Sequence, residues 1–218
     1  MAFLFKSGDE LFDGGVDLVK RKDYAKARNS FEKSIDKSPS KAPICRIYIG
    51  IIDTILGPTN SGAFSNLASL LEQSSESQIE FGITTLDTKS YAAECRLMVE
   101  RISLMGISGG AKDKEEKGRK LVMLAQKYQM QIGNNPLRFN ELQNGDTTVT
   151  GIKMAMNLQA LGYESLADAA VLTDPKKAAE YLQNASNYLR QAGEDGSADL
   201  ELVKSYSKSA KCWFCGRV

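Results

Sequence analysis

Residues Gly15 to Pro39 read GVDLVKRKDYAKARNSFEKSIDKSP, and this stretch decides the fold. Apolar and small residues recur at three- and four-residue spacing on both sides of Lys22-Asp23. That is the period of an amphipathic helix, interrupted once by a tight turn. The first helix extends back to near Asp9, capped by Ser7 or Asp9, and runs to about Arg21, with Leu11, Phe12, Val16, Leu18 and Val19 on one broad apolar face. The second runs from about Tyr24 to Asp36 and turns Tyr24, Ala27, Phe31, Ser34 and Ile35 inward. Lys33 and Lys37 suit the negative end of its dipole, and Ser38-Pro39 stops it.

The same period continues outward. Pro43 to Leu56 predicts a third helix, with Pro43 in the first turn and Gly57-Pro58 as its stop. Ser61 to Gln73 predicts a fourth, with Phe64, Leu67, Leu70 and Leu71 on one face. Within Gln73 to Lys89, the segment IEFGITTL fits either an extended segment or an irregular helix. Tyr91 to Met105 forms a fifth helix ended by GISGG, and Asp113 to Gln131 a sixth. Gly133 to Gly145 carries the turn signals NNP and NGD and reads as a loop. Thr147 to Leu172, bent at Gly162, then Pro175 to near Gly193, and Ser197 to Lys211 complete the series. Strand-like alternation is nearly absent. Each helix pair alone exposes an apolar face, so about nine helices joined by short connections bury their faces by stacking.

Leu11, Gly15, Leu18, Asp23, Tyr24, Ala27, Phe31 and Pro39 carry a specific signature. On these residues Gly15 to Pro39 resembles the tetratricopeptide repeat (TPR). The resemblance implies that Gly15 and Ala27 let the two helices approach closely, that Tyr24 and Phe31 fill the gap between pairs, and that Pro39 ends the unit. Gly14 stands where the family usually has leucine, and Ser34 where it usually has alanine. A weaker echo lies at Tyr163 to Ala185, where DPKKAAEYL aligns with DYAKARNSF. It gives Asp174, Ala178, Leu182 and Ala185 the roles of Asp23, Ala27, Phe31 and Ser34, without the family glycine. The implied fold is all-α, antiparallel helix pairs stacked as a TPR-like right-handed superhelix over residues 1–211. The family binds peptides or partner domains in the groove lined by the first helix of each pair. On that resemblance Asp9, Phe12, Val16, Val19 and Lys20 line the groove of the first repeat. Family members that clamp a C-terminal carboxylate use Lys and Asn on this face. Phe12 and Val16 turn it instead toward an apolar ligand, a partner helix, or packing against a neighbouring helix. Alanine at Phe12 separates these: weaker partner binding marks a groove residue, lost stability a core residue.

The composition narrows the chemistry. The chain has 218 residues, 28 Lys and Arg against 27 Asp and Glu, and no histidine. Near-balanced charge gives no global field toward nucleic acid or an anionic membrane. Without histidine, the Ser-His-Asp and Cys-His routes and all His-ligated metal sites are excluded. No apolar run reaches bilayer length. The start, MAFLFKSGDELF, lacks the basic region and cleavage site of a secretory signal. A cytoplasmic, non-catalytic protein is the expectation.

Cys45 and Cys95 lie in apolar helical contexts and are expected to be buried core thiols. Cys212 and Cys215, in KCWFCGRV, have the spacing of half a four-cysteine zinc site. Residues 212–218 then open a zinc ribbon completed by a further segment or by a second chain; a redox dithiol is the other reading. The run Lys112, Lys114, Lys117, Arg119 and Lys120 is interleaved with Glu115 and Glu116 and has no aromatic partners, which reads as a solvated helix face. Gly106 to Gly110 lacks the order of a phosphate loop, and Tyr181, Tyr188 and Leu189 read as core or interface residues. The function expected is a protein–protein adaptor or scaffold. The alternative is a nucleic-acid-associated or metal-dependent module in which the helices position a zinc ribbon.

Overall fold

The computed structural model describes residues 6–204. Cys212 and Cys215, and with them the expected zinc knuckle at 212–218, lie outside the described residues. The chain is predominantly helical, and its described residues divide into two compact units. Residues 6–99 and 138–146 form the first; residues 100–137 and 147–204 form the second.

In the first unit α1 (Gly8–Lys20) begins at a capping box. The Ser7 hydroxyl accepts from the Glu10 N–H at 3.1 Å, and the Ser7 N–H donates to the Glu10 carboxylate at 2.7 Å, which satisfies two of the donors a helix start leaves open. Lys22, at φ 58°, makes the left-handed turn into α2 (Tyr24–Lys37). The Asp23 side chain caps α2, accepting from the Lys26 N–H at 3.4 Å. A 3-10 turn at Pro39–Lys41 leads to α3 (Ala42–Leu56), and Asn60 caps α4 (Ser61–Glu72).

Successive helices here run antiparallel. Ser34 of α2 donates to the Gly8 carbonyl of α1 at 2.7 Å, while farther along Gly15 faces Phe31. A Cβ on Gly15 would sit 2.6 Å from the Phe31 ring, so the close approach needs glycine. Between α2 and α3, Arg28 pairs with Asp53 at 2.9 Å and Phe31 meets Tyr48 at a 4.8 Å centroid distance. Ala27, Phe31 and Ser34 are fully buried. Cys45 and Cys95 are buried free thiols, as their sequence contexts predict; burial pushes both thiols up.

One segment that the sequence left open takes its extended form, and one expected loop contains a helix. IEFGITTL becomes an antiparallel hairpin, β1 (Gln78–Phe81) and β2 (Thr84–Asp87), with Ile79 opposite Leu86 and Phe81 opposite Thr84. Ile79, Phe81, Thr84 and Leu86 point inward and their neighbours outward, the period-2 pattern of a one-sided sheet. Gly82, at φ 67°, makes the turn. The loop is Gly133 to Gly145. There Arg138–Asn144 forms a short helix, α7, with Phe139 and Leu142 buried. Its start is fixed by Glu94 on α5 (Thr88–Met105), whose carboxylate accepts the Arg138 and Phe139 N–H groups at 2.9 and 2.8 Å. Phe139 packs edge-on against Phe64 at 5.1 Å.

In the second unit α8 (Gly151–Ala170) lies between α6 (Ala111–Gln131) and α9 (Pro175–Ala192). Lys114 meets Asp168, Gly118 meets Gly162 and Ile132 meets Gly151, so α6 and α8 are antiparallel. A Cβ on Gly118 would sit 2.7 Å from the Gly162 carbonyl oxygen, and one on Gly162 2.9 Å from the Gly118 carbonyl oxygen. The two backbones touch at Gly162, the position where the sequence suggested a bend. Asp174 caps α9 through the Lys177 N–H at 3.0 Å. Ala178, Leu182 and Ala185 are buried behind it, so these residues match Asp23, Ala27, Phe31 and Ser34 in capping and burial. Residues 197–204 are helical, and Val203 packs on Ala167, Ala178 and Leu182.

Candidate functional site

The five groove residues named from the repeat resemblance all lie on α1 and differ in exposure. Asp9 and Lys20 are exposed, and Lys20 pairs with Asp17 at 3.5 Å. Phe12 is half-buried, its ring 5.7 Å from both Phe31 and Tyr48, with the Lys41 ammonium 4.9 Å above it. Val16 is half-buried and Val19 is buried. A Cβ on Gly82 would stand 3.8 Å from Val19 Cγ1, so the hairpin turn covers this valine. Tyr48 also meets Phe81 at 5.5 Å and donates its hydroxyl to the Glu80 carbonyl. Phe12, Phe31, Tyr48 and Phe81 thus form one continuous aromatic seal. Burial pushes the Tyr48 hydroxyl up to about 12, so it stays a neutral donor.

An open site is present in the second unit. The groove between α6 and α8, walled by Met105 to Gly109, holds a cleft of about 510 Å³, within the size range of ligand pockets. Its apolar lining is Met105, Ile107, Leu121 and Leu161. Met105 and Leu161 stay 38% and 39% exposed, so apolar surface remains in contact with water. Its walls are polar: Lys114, Lys117, Glu164, Ser165 and Asp168.

The polar residues are placed by helix geometry. Lys114 and Lys117 are three apart on α6, and on α8 Glu164 and Ser165 each lie three or four residues from both Leu161 and Asp168, so each set shares a face. Lys114 pairs with Asp168 at 3.2 Å, and Ser165 donates to the Lys114 carbonyl at 2.8 Å. The Lys117 ammonium donates to the Ile107 carbonyl at 3.3 Å, which ties the wall segment to α6. Glu164 makes no hydrogen bond or ion pair among the described residues. Burial first, then the charges of Asp199 and Asp168, hold its carboxyl above the usual carboxylate range.

Sequence reasoning placed these lysines on a solvated face. Arg119 and Lys120 do occupy such a face, paired with Glu115 and Glu116 one turn earlier. Lys114 and Lys117 instead turn into the cleft, and Ile107 to Gly109 of GISGG form its wall. The spacing of Lys114, Lys117 and Leu121 was the available signal; the missing information was which face α8 covers. Tyr163 stacks with Tyr188 at 5.7 Å and meets Tyr181 at 6.0 Å, an α8–α9 contact of the kind expected for Tyr181 and Tyr188.

Among the described residues no group of three or more His, Cys, Asp or Glu is placed to hold a metal ion. No helix among them is long and apolar enough to cross a membrane. Comparisons of the chain with protein-family models, curated proteins and solved structures found no significant match.

Proposed function

We propose that the chain is a non-catalytic protein-interaction module of TPR-like construction, and that a partner polypeptide docks in the α6–α8 cleft. The cleft carries the reading: an apolar lining open to water between charged walls is the form of a recognition site. The TPR-like part rests on the antiparallel pairs, the Gly15–Phe31 contact, and the matched capping and burial at Asp23 and Asp174. In this reading the first repeat supplies structure through its aromatic seal, and the second unit supplies the ligand surface.

Leu161→Asp puts a charge on the cleft lining at a position already exposed, so the fold is retained while the apolar contact is lost. Capture of protein partners from nuclease-treated extract of the source cells should drop roughly tenfold or more, the order expected for losing a central apolar anchor. Unchanged capture by folded Leu161→Asp protein would remove the cleft from the function. Capture abolished by nuclease alone would point to nucleic acid instead.

A further inference from the structure

Two lysines and two carboxylates line the cleft, and one of the carboxylates, Glu164, is left without a partner. On α6 are Lys114 and Lys117; on α8 are Glu164 and Asp168; on the helical segment 197–204 is Asp199, close enough to raise Glu164 electrostatically. Lys114 is committed to Asp168, and Lys117 to the Ile107 carbonyl. Asp199 is 7% exposed, and its Oδ2 is buried without a hydrogen-bond partner. Glu164 lines the cleft and has no partner of its own. Glu164 is therefore the cleft carboxyl without a hydrogen bond or ion pair, and Asp199 adds a like charge near it. A buried or half-buried carboxylate without a cation or donor is unfavourable, and a positive group supplied from outside removes the deficit.

We propose that the partner anchors in this cleft through a lysine side chain, its methylene stem on Met105, Ile107, Leu121 and Leu161 and its ammonium against Glu164. This rests on the reading of the cleft as the partner-binding site. The chemistry matches part by part. A lysine has a four-carbon apolar stem and a charged tip, and it buries the stem along apolar surface while keeping the tip in a polar environment. The cleft presents that sequence of surfaces: aliphatic and thioether lining, then carboxyl wall. The apolar lining beside Glu164 suits a cation that carries an alkyl chain.

The test is an amide NMR titration of the whole chain with hexylammonium, hexanol and hexanoate, followed at Lys117, Leu161 and Ser165. Hexylammonium should bind roughly tenfold more tightly than either other probe, the effect of one charge-assisted contact. Glu164→Gln should erase that preference while spectra away from the cleft stay unchanged. Nα-acetyl-lysine N-methylamide, a lysine side chain on a peptide backbone, should shift the same amides. Equal binding of the three alkyl probes overturns the lysine assignment and leaves the cleft as an apolar site. Preference retained in Glu164→Gln overturns it too. If hexylammonium binds and the lysine derivative does not, the occupant is a free amine and not a partner's side chain. If no probe shifts the cleft, the cleft is not a binding site and the proposed function falls with the inference.

Discussion

Glu94 in the first unit and Glu164 in the second are both carboxyl groups raised by burial, yet their surroundings differ completely. Glu94 is 3% exposed, and its two oxygens each accept a backbone N–H, from Arg138 and Phe139. Glu164 is half-buried, faces a cleft, and finds two like charges and no partner. The same contrast holds for the apolar residues around them. In the first unit Phe12, Phe31, Tyr48 and Phe81 close on one another. In the second, Met105 and Leu161 remain partly in water beside a glycine-on-glycine helix contact. Glu94 and the aromatic seal find their partners within the first unit; the cleft of the second leaves a polar and an apolar demand open at the same place. Recognition surfaces are expected where a fold stops satisfying itself.

The sealed unit is where substitution should cost most. Phe31 is fully buried, touches Gly15, Phe12 and Tyr48, and sits at the centre of the α1–α2–α3 packing. Phe31→Ala should destabilise the chain by about 3–5 kcal/mol, the range for deleting a buried phenylalanine. Chemical denaturation measures it. A loss near that of an exposed site would mean that the aromatic seal collapses without cost, and the contrast between the units would disappear.

Glu94 gives the next effect, and its sign is set by linkage. Burial raises its carboxyl from 4.5 to about 7, against the lowering effect of the two N–H groups and Arg138. A raised folded-state value means that the native chain holds this proton more tightly than the unfolded chain. The associated stability is full below about pH 4.5 and is lost as pH rises to about 7, amounting to about 3 kcal/mol. Glu94→Gln cannot titrate, so its denaturation midpoint should vary less between pH 4.5 and pH 7. Parallel pH profiles for the two proteins would show that Glu94 ionises at its ordinary value.

Gly162→Ala comes third. Its Cβ would stand 2.9 Å from both the Gly118 carbonyl oxygen and Val122 Cγ2. Backbone cannot rotate away as a side chain can, so α6 and α8 must separate, at about 1–3 kcal/mol. Separation also widens the cleft, so hexylammonium affinity should change together with stability. A stability loss with unaltered affinity would mean that the helix contact does not shape the site.

These three positions also show what the sequence reveals and what it withholds. Phe31 and its helix were legible because period, turn and stop are all local: apolar residues at 3.6 spacing, Lys22-Asp23 at the turn, Pro39 at the stop. The start of α7 was not legible, because its capping group is Glu94, over forty residues away in the chain; NNP and NGD argued locally for a loop. The hairpin stayed ambiguous since IEFGITTL is short and only one face is apolar. The close contact of Gly162 was not legible because its partner, Gly118, belongs to another helix. The cleft was hidden for the same reason. Lys114 and Lys117 acquire meaning only when α8 brings Glu164 and Asp168 opposite them.

Glu164→Gln should give the smallest change in stability, and the most telling one. Burial, and after it the charges of Asp199 and Asp168, make the ionised form of Glu164 unfavourable in the native state. Its folded-state value is therefore above the ordinary 4.5, and the chain loses stability as pH rises through it. The glutamine keeps the shape and removes the charge. It should raise the melting temperature slightly at pH near 8 and leave it unchanged at pH near 4, where the native carboxyl is already protonated. A substitution that stabilises the free protein while abolishing selection for an alkylammonium identifies a group retained for binding and not for folding. Destabilisation by Glu164→Gln at alkaline pH would show instead that the carboxylate is satisfied inside the fold, as Glu94 is, and the contrast between the two units would then rest on their apolar surfaces alone.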